Sequence, residues 1–341
     1  MAAAIATPAA AADVDRRLVL VTLDGLPWTE VFRGADPARA DDKTFTTERA
    51  LIRKDFLDPP DRRAALMPFL TGPVAKQGVL LGDRDHGGCA AVANDRWFSY
   101  PGYNEILTGR PDPAIGSNAH GSNANVTFLE WLNRRPEFRG KVEVAASWDV
   151  FDQIIPPRSG VRVNAGWAGG GTAGPIAALQ RDAPRLWPTA RLDGFTQAWA
   201  MEALKVRKPR VLYVAYDETD DFAHDGRYDQ MLWAARRADG FVAELWRTLQ
   251  ADPAYAGKTT LIVTTDHGRG TQAPDAWKHH GPKAPGSDAI WIAAIGPGVR
   301  AGAAPVGCAS QSQIAATALK ALGLDVAAFD PRAGAPLEIF R

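Results

Sequence analysis

TTLIVTTDHGRG, residues 259–270, runs from β-branched and apolar residues straight into an aspartate, a histidine and a glycine. A run of this length without polar alternation reads as a strand buried on both faces. It ends by presenting a carboxylate beside an imidazole. Taken alone, that pair fits a turn or a helix cap as well as it fits a ligand set, so the reading turns on whether other strands end the same way.

Four more runs share the character: RLVLVTLD (17–24), KVEVAAS (141–147), PRVLYVAYD (209–217) and DAIWIAAIG (288–296). Helix-period segments lie between and after them, at VTFLEWLNRR (126–135), GFTQAWAMEALKVR (194–207), GRYDQMLWAARRADGFVAELWRTLQ (226–250) and QSQIAATALKALG (311–323). The alternation predicts an α/β fold, an open and mostly parallel sheet sandwiched between helices. No repeat and no long linker interrupts it, and residues 17–341 are expected to form a single domain. The Gly-, Pro- and Asp-rich segments 35–75, 83–98, 156–175 and 268–287 read as irregular. In such a sheet ligands sit beyond the carboxyl ends of the strands, where loops of this kind build the site.

The 341 residues, 46% of them hydrophobic, suffice for a sizeable core. Lys and Arg number 39, as do Asp and Glu, so no net field draws the chain to a nucleic-acid polymer or an anionic membrane surface. With no apolar run of eighteen residues, no membrane span is expected. Cys89 and Cys308 have neither C-x-x-C nor C-x-x-H spacing, which excludes a thiolate zinc site and a thioredoxin-type motif; pairing and free thiols both stay open. The opening MAAAIATPAAAADVDRR has an A-x-A-like look without a basic or a full apolar region. Residues 1–16 therefore read either as a truncated export signal, implying a periplasmic or secreted protein, or as a disordered tail that leaves the cytoplasm open.

Three of the five strand candidates end in acids: Asp24, the group Asp217 to Asp221, and Asp266. In a parallel sheet those ends share one edge, and carboxylates converging there repel one another unless cations bind between them. Four of the six histidines, His224, His267, His279 and His280, fall in or just after the same segments. In YDETDDFAHDG, Asp220 precedes His224 by four residues, so one helical turn lets both reach one ion. Mixed nitrogen and oxygen donors suit zinc, with manganese or iron as alternatives, rather than magnesium or calcium. DG, DHG and HHG each have a bland reading as turn, cap or solvated loop; it is their conjunction that points to metal.

A nucleophile is available in WFSYPGYNEILTGRPD. Ser99 precedes Tyr-Pro-Gly, read as a sharp turn, and NEILTG reads as a short helix closed by Gly109. A hydroxyl just before a helix start lies among backbone N–H groups that favour negative charge, although a plain N-cap serine would look the same.

These segments resemble the alkaline phosphatase superfamily, in particular its type I phosphodiesterase/nucleotide pyrophosphatase branch. VTLDGLPWTEVF, WFSYPGYNEILTG, YDETDDFAHDG, TTDHGRG and HHG occur in the family's order between residues 21 and 281, and MPFLTGPVAKQGVLLGDRD (67–85) resembles its early helix, glycine turn and strand. The resemblance implies two zinc sites, one held by Asp220, His224 and His280, the other by Asp24, Asp266 and His267, with Ser99 as ligand and covalent nucleophile. His280 is preferred to His279 because the family's histidine commonly precedes glycine. Asp217 and Asp221 stand behind the ligands, and Asn123, chosen from Asn118, Asn123 and Asn125, is the implied donor to phosphate.

The implied reaction is hydrolysis of a small phosphate ester through phosphoserine. Three aspartates and a serine alkoxide balance two divalent ions, and zinc beside Ser99 would make the alkoxide accessible. The arginine close behind the nucleophile in bacterial alkaline phosphatase is missing, because Tyr100 to Tyr103 follow Ser99. Arg110, Arg269, Lys278 and Lys283 are candidate replacements, and the balance tilts towards diesters, with a phosphomonoesterase as alternative. Tyr103 stands where a sulfatase requires arginine, and the 120 residues between Ser99 and Asp220 leave little room for the inserted domain of a cofactor-independent phosphoglycerate mutase. Pro27 replaces a basic residue common in related bacterial proteins. Trp28, Trp97 and Trp277 adjoin the motifs as candidates for a stacking wall. A zinc-stabilised binding protein without catalysis is the rival from another class, disfavoured because a nucleophile and six ligands are intact.

Overall fold

The computed structural model describes residues 15–169, 173–304 and 307–341; most of the expected N-terminal tail, residues 1–14, lies outside them. The strands are β1 (Arg17–Leu23), β2 (Val79–Leu81), β3 (Ala90–Ala91), β4 (Val142–Ala146), β5 (Arg162–Ala165), β6 (Val211–Tyr216), β7 (Thr259–Thr264), β8 (Ile292–Ile295) and β9 (Ala309–Ser310). Seven form one sheet in the order β2-β8-β7-β1-β6-β4-β5, and β3 and β9 make a small parallel pair. Among the described residues only β8 runs against its neighbours, β7 and β2; the remaining pairings of the large sheet are parallel.

All five runs expected as strands form, and the reason they lack polar alternation is visible in the packing. Val19, Val21 and Leu23 of β1 enter the same core as Leu212, Val214 and Tyr216 of β6 and Leu261 and Val263 of β7. Leu18 and Leu20, with Val211, Tyr213, Ala215 and Ile262, enter the core on the opposite face. Both faces are covered by helices, so the central residues of these strands are apolar whichever way they point. The 24-residue helix Tyr228–Ala251 closes the first face, burying Met231, Leu232, Ala235, Ala238, Val242, Leu245 and Leu249 at helical spacing. The helix Ile314–Ala321 covers the second, entered through a capping box formed by Ser310 and Gln313.

β1 sits between β6 and β7, and its register pairs Leu23 with Tyr216 and Thr22 with Thr264. The three strands that end in acids are therefore adjacent and stop at one edge. Elsewhere the expectations need correction. Segment 35–75 is not irregular but a series of short helical pieces, among them Pro37–Asp41, Arg49–Ile52, Arg62–Leu66 and Leu70–Val74. β5 lies within the expected loop 156–175; four residues on a sheet edge carry too little periodicity to announce a strand. Cys89 and Cys308 are joined in a disulfide that closes 219 residues beside the β3–β9 pair, with Cα atoms 4.5 Å apart.

Candidate functional site

The helix bearing Ser99 is Ser99–Thr108, longer than NEILTG, and every residue of it is buried. Instead of forming a turn, Tyr-Pro-Gly is helical: Pro101 is the third residue, where its missing N–H would have had no intrahelical partner. Phe98 is the extended N-cap, Ser99 the first helical residue, and Gly109 ends the helix in the left-handed conformation. The glycine of SYPGY allows a close approach: a Cβ on Gly102 would lie 2.4 Å from the Asp266 carbonyl oxygen, so this helix rests directly on the DHG turn. Gly25 does the same for the DG turn, with φ at +57° and an added Cβ 2.6 Å from Asp220 Oδ1.

Ser99 Oγ lies 3.3 Å from His267 Nε2 and 3.5 Å from Asp24 Oδ1. His267 Nε2 is 3.4 Å from Asp24 Oδ1 and 3.5 Å from Asp266 Oδ2. His224, on the helix Glu218–His224, places Nε2 3.0 Å from both Asp220 Oδ2 and His280 Nε2, and His280 Nε2 is 3.8 Å from Asp220 Oδ1. All seven residues proposed as ligands thus meet in one cluster, and His267 joins its halves, 3.7 Å from Asp220 Oδ1. His280 turns into the cluster; His279 is exposed.

These spacings fit cations. Zinc–donor bonds of roughly 2.0–2.1 Å in a tetrahedron put donors about 3.3 Å apart, which is the range observed. Asp24, Asp266 and His267 form one group of converging ligand atoms and Asp220, His267 and His280 another. Asp266 Oδ2 and His280 Nδ1 are buried without a hydrogen-bond partner among the described residues, a costly state for a polar atom that binding a cation relieves at the carboxylate.

Electrostatics point the same way. Burial, reinforced by Asp266 and Asp220, holds the Asp24 carboxyl well above the usual carboxylate range, and burial pushes Asp266 up to about 7. Burial also acts on Asp220, but Arg269, His224 and His280 outweigh it and hold that carboxyl well below its ordinary value. His267 is lowered to about 4 and His280 to about 2, in each case chiefly by burial. His267 Nδ1 faces the Gly268 carbonyl oxygen at 2.9 Å, which only accepts, so the proton sits on Nδ1 and the Nε2 lone pair faces the cluster.

Three neighbours went unassigned or underweighted in the motifs. Tyr103 donates to Asp24 Oδ2 at 2.7 Å. Arg269 is buried, paired with the Asp220 carboxylate, and donates to the carbonyls of Gly25 and Lys278 at 3.2 and 3.1 Å. Asn118 accepts the Tyr100 N–H at 3.0 Å and shares a cleft with Phe98, His280, Gly281 and Lys283. Asn123, by contrast, is consumed elsewhere: its amide donates to Asn104 Oδ1 and the Ile154 carbonyl and accepts the Asn125 N–H. The structure thus brings Asn118, not Asn123, to the Ser99 helix start. The stacking wall also fails to form, since Trp28 and Trp277 are buried in the core, the latter edge-on to Phe45 and Tyr228. Pro27 is the N-cap of the helix Trp28–Arg33.

A model of the family described as type I phosphodiesterase/nucleotide pyrophosphatase matches residues 121–304, more than half of the chain. No curated protein shows significant similarity to it. Among solved structures, alkaline phosphatase PafA is similar at 10% identity and a TM-score of 0.60, covering 96% of this chain and 99% of its own. A protein in the alkaline phosphatase superfamily from Vibrio parahaemolyticus is similar at 14% identity and a TM-score of 0.55, covering 94% and 69%. A putative sulfatase from Bacteroides thetaiotaomicron follows at 12% and 0.58, covering 91% and 71%. At such identities the likeness is one of fold.

Proposed function

We propose, from the premise that this chain belongs to the type I phosphodiesterase/nucleotide pyrophosphatase family, that it hydrolyses small phosphodiesters or nucleotide pyrophosphate-type substrates through a phosphoseryl intermediate on Ser99. In this reading residues 17–341 act as one catalytic unit. Asp220, His224 and His280 hold one zinc ion, and Asp24, Asp266, His267 and Ser99 hold the other.

When bound, zinc supplies Lewis acidity that lowers the pKa of the Ser99 hydroxyl and offsets charge on the phosphoryl oxygens. Ser99 Oγ gives its proton to solvent and bonds to phosphorus as the bond to the leaving oxygen breaks, and the leaving oxygen departs with the electron pair and takes up a proton from solvent. The helix dipole at the Ser99 end favours the anion, and the Asn118 amide, anchored through its oxygen on the Tyr100 N–H, turns its nitrogen to the cleft as the donor. Water then adds to phosphorus and gives up a proton to solvent as the Oγ–P bond breaks, and the Ser99 alkoxide is reprotonated from solvent.

The observation that carries the diester preference is Arg269. Three aspartates and the alkoxide cancel two divalent ions, and Arg269, buried and paired with Asp220, adds one permanent positive charge. A singly charged diester makes the buried assembly neutral, whereas a monoester with about two charges leaves it negative. The Cys89–Cys308 bond supports an oxidising compartment, in keeping with the periplasmic or secreted reading.

The test is to load the purified protein with zinc and compare bis-p-nitrophenyl phosphate with p-nitrophenyl phosphate. The diester should turn over faster, and Ser99→Ala should abolish turnover with metal content near normal. Inertness towards both substrates with metal bound would overturn the assignment.

A further inference from the structure

Among the described residues only two that are not glycine have positive φ, Trp97 and Lys208, both at +51°. A bulky aromatic is poorly suited to the left-handed region, and residues held there against preference concentrate where a site must be aimed. Trp97 stands two residues before Ser99.

What holds it is a buried knot. Asn94 Oδ1 accepts the N–H groups of Arg96 at 2.9 Å and Trp97 at 3.0 Å. The Asn94 backbone N–H and its side-chain amide both donate to Glu105 Oε2 at 2.8 Å. Glu105 Oε1 accepts from the Ala93 N–H at 2.9 Å and from Ser312 Oγ at 2.8 Å. Glu105 is fully buried and Asn94 nearly so. Glu105 lies on the helix that Ser99 begins, so the knot ties the incoming loop to the body of that helix. The backbone of Trp97 and the extended Phe98 are the only links left to bend between the knot and Ser99.

We propose that Glu105 and Asn94 are positioning residues for the nucleophile: the Glu105 carboxylate, acting through Asn94, locks Trp97 in the left-handed conformation and so aims Ser99 Oγ at Asp24 and His267. The inference rests on Ser99 being the nucleophile, and neither residue touches the ligand cluster. A carboxylate is needed because its oxygens only accept, and four donors from two segments converge on them.

The experiment is a double-mutant cycle of Asn94→Ala and Trp97→Gly, with Glu105→Gln as a further variant, all zinc-loaded and compared per folded molecule. Asn94→Ala should lower kcat and the rate of phosphoserine formation from bis-p-nitrophenyl phosphate by about 10- to 100-fold, with KM and zinc content nearly unchanged. Glycine needs no lock to adopt positive φ, so in the Trp97→Gly background the same substitution should cost several-fold less. Equal losses in both backgrounds, or an unchanged kcat, would overturn the proposal. If Glu105→Gln does not fold, the cycle decides alone. If the wild-type protein forms no phosphoserine, the proposed function fails separately, and a crystal structure of Asn94→Ala still decides the clamp. Trp97 leaving positive φ with Ser99 Oγ displaced from His267 supports it, and an unmoved Ser99 refutes it.

Discussion

Tyr103→Phe removes one oxygen atom from the cluster while leaving its shape. The Tyr103 ring is buried edge-on against Phe151, centroids 4.7 Å apart, and phenylalanine keeps that contact. What is lost is the 2.7 Å hydrogen bond to Asp24 Oδ2; the other oxygen, Oδ1, faces Ser99 and His267. A bond to a charged acceptor contributes roughly 1.5–3 kcal/mol, and one between neutral groups about 1. In metal-free protein burial and the neighbouring Asp266 and Asp220 disfavour the charged form of Asp24, so the loss lies towards the smaller amount. With zinc bound Asp24 is a carboxylate and the loss is the larger. The difference, about 1–2 kcal/mol, falls on metal affinity and corresponds to a loss on the order of tenfold. Competition with a chromophoric chelator measures it, alongside thermal unfolding of metal-free protein. Zinc affinity equal to wild type, with melting lowered by the same amount with and without metal, would show that the Tyr103 bond to Asp24 does not strengthen when metal binds and would refute the coupling.

Further outcomes test other parts of the structure. Gly25→Ala should abolish zinc binding, because its Cβ would lie 2.6 Å from Asp220 Oδ1 and 2.7 Å from Arg269 Nη2; Gly226→Ala, also at positive φ but with Lys278 Cδ as nearest atom at 3.4 Å, should cost only stability, about 1–2 kcal/mol by denaturation. Removing the disulfide with Cys308→Ser releases a loop of 219 residues and should lower unfolding free energy by up to about 5 kcal/mol, while metal content of the folded protein stays unchanged. Asp239 accepts from the Phe69 and Leu70 N–H groups, yet burial pushes it up to about 6. Its folded value lies above the unfolded one, so it favours the fold at low pH and that contribution is lost as pH rises from about 4 to 6. Wild-type stability relative to Asp239→Asn should therefore fall by about 3 kcal/mol across that window, and a flat difference would refute the assignment.

The central sheet was legible because the residues that build it are constrained twice. Val19 and Leu20 point to opposite cores, so the centre of β1 had to be apolar on both faces, and its acid-ending neighbours β6 and β7 were legible for the same reason. The residues proposed as ligands could be grouped because the adjacency of β1, β6 and β7 turns three strand ends into one cluster. Residues whose roles depend on direction were not. Asn118 and Asn123 are five positions apart in one polar loop, and no spacing says which amide meets the Ser99 helix and which is spent on Asn104 and Ile154. The helical start at Ser99 was hidden by Tyr-Pro-Gly, whose turn-like character is equally compatible with a first helical turn. Trp277 sits beside a ligand loop in sequence but packs beneath it, in contact with Phe45 and Tyr228.

The cluster answers its own repulsion one carboxylate at a time, and each answer comes from a different segment. Asp24 gives Oδ2 to Tyr103 and keeps Oδ1 inward. Asp266 gives Oδ1 to the Gly25 N–H at 3.0 Å and keeps Oδ2 buried without a partner. Asp220 pairs through Oδ1 with Arg269 and turns Oδ2 to His224. In each case one oxygen is tied and the other is left for a cation, so the carboxylates are oriented before any ion arrives. Little ordering entropy then remains to be lost on binding. The tethers also cross-link the elements: the Ser99 helix reaches the end of β1, the turn after β1 reaches the end of β7, and Arg269 beyond β7 reaches the helix after β6. A substitution at one tether should therefore misalign a proposed ligand belonging to another strand, which is why Tyr103 and Gly25, neither of them a proposed ligand, carry the sharpest tests of the site.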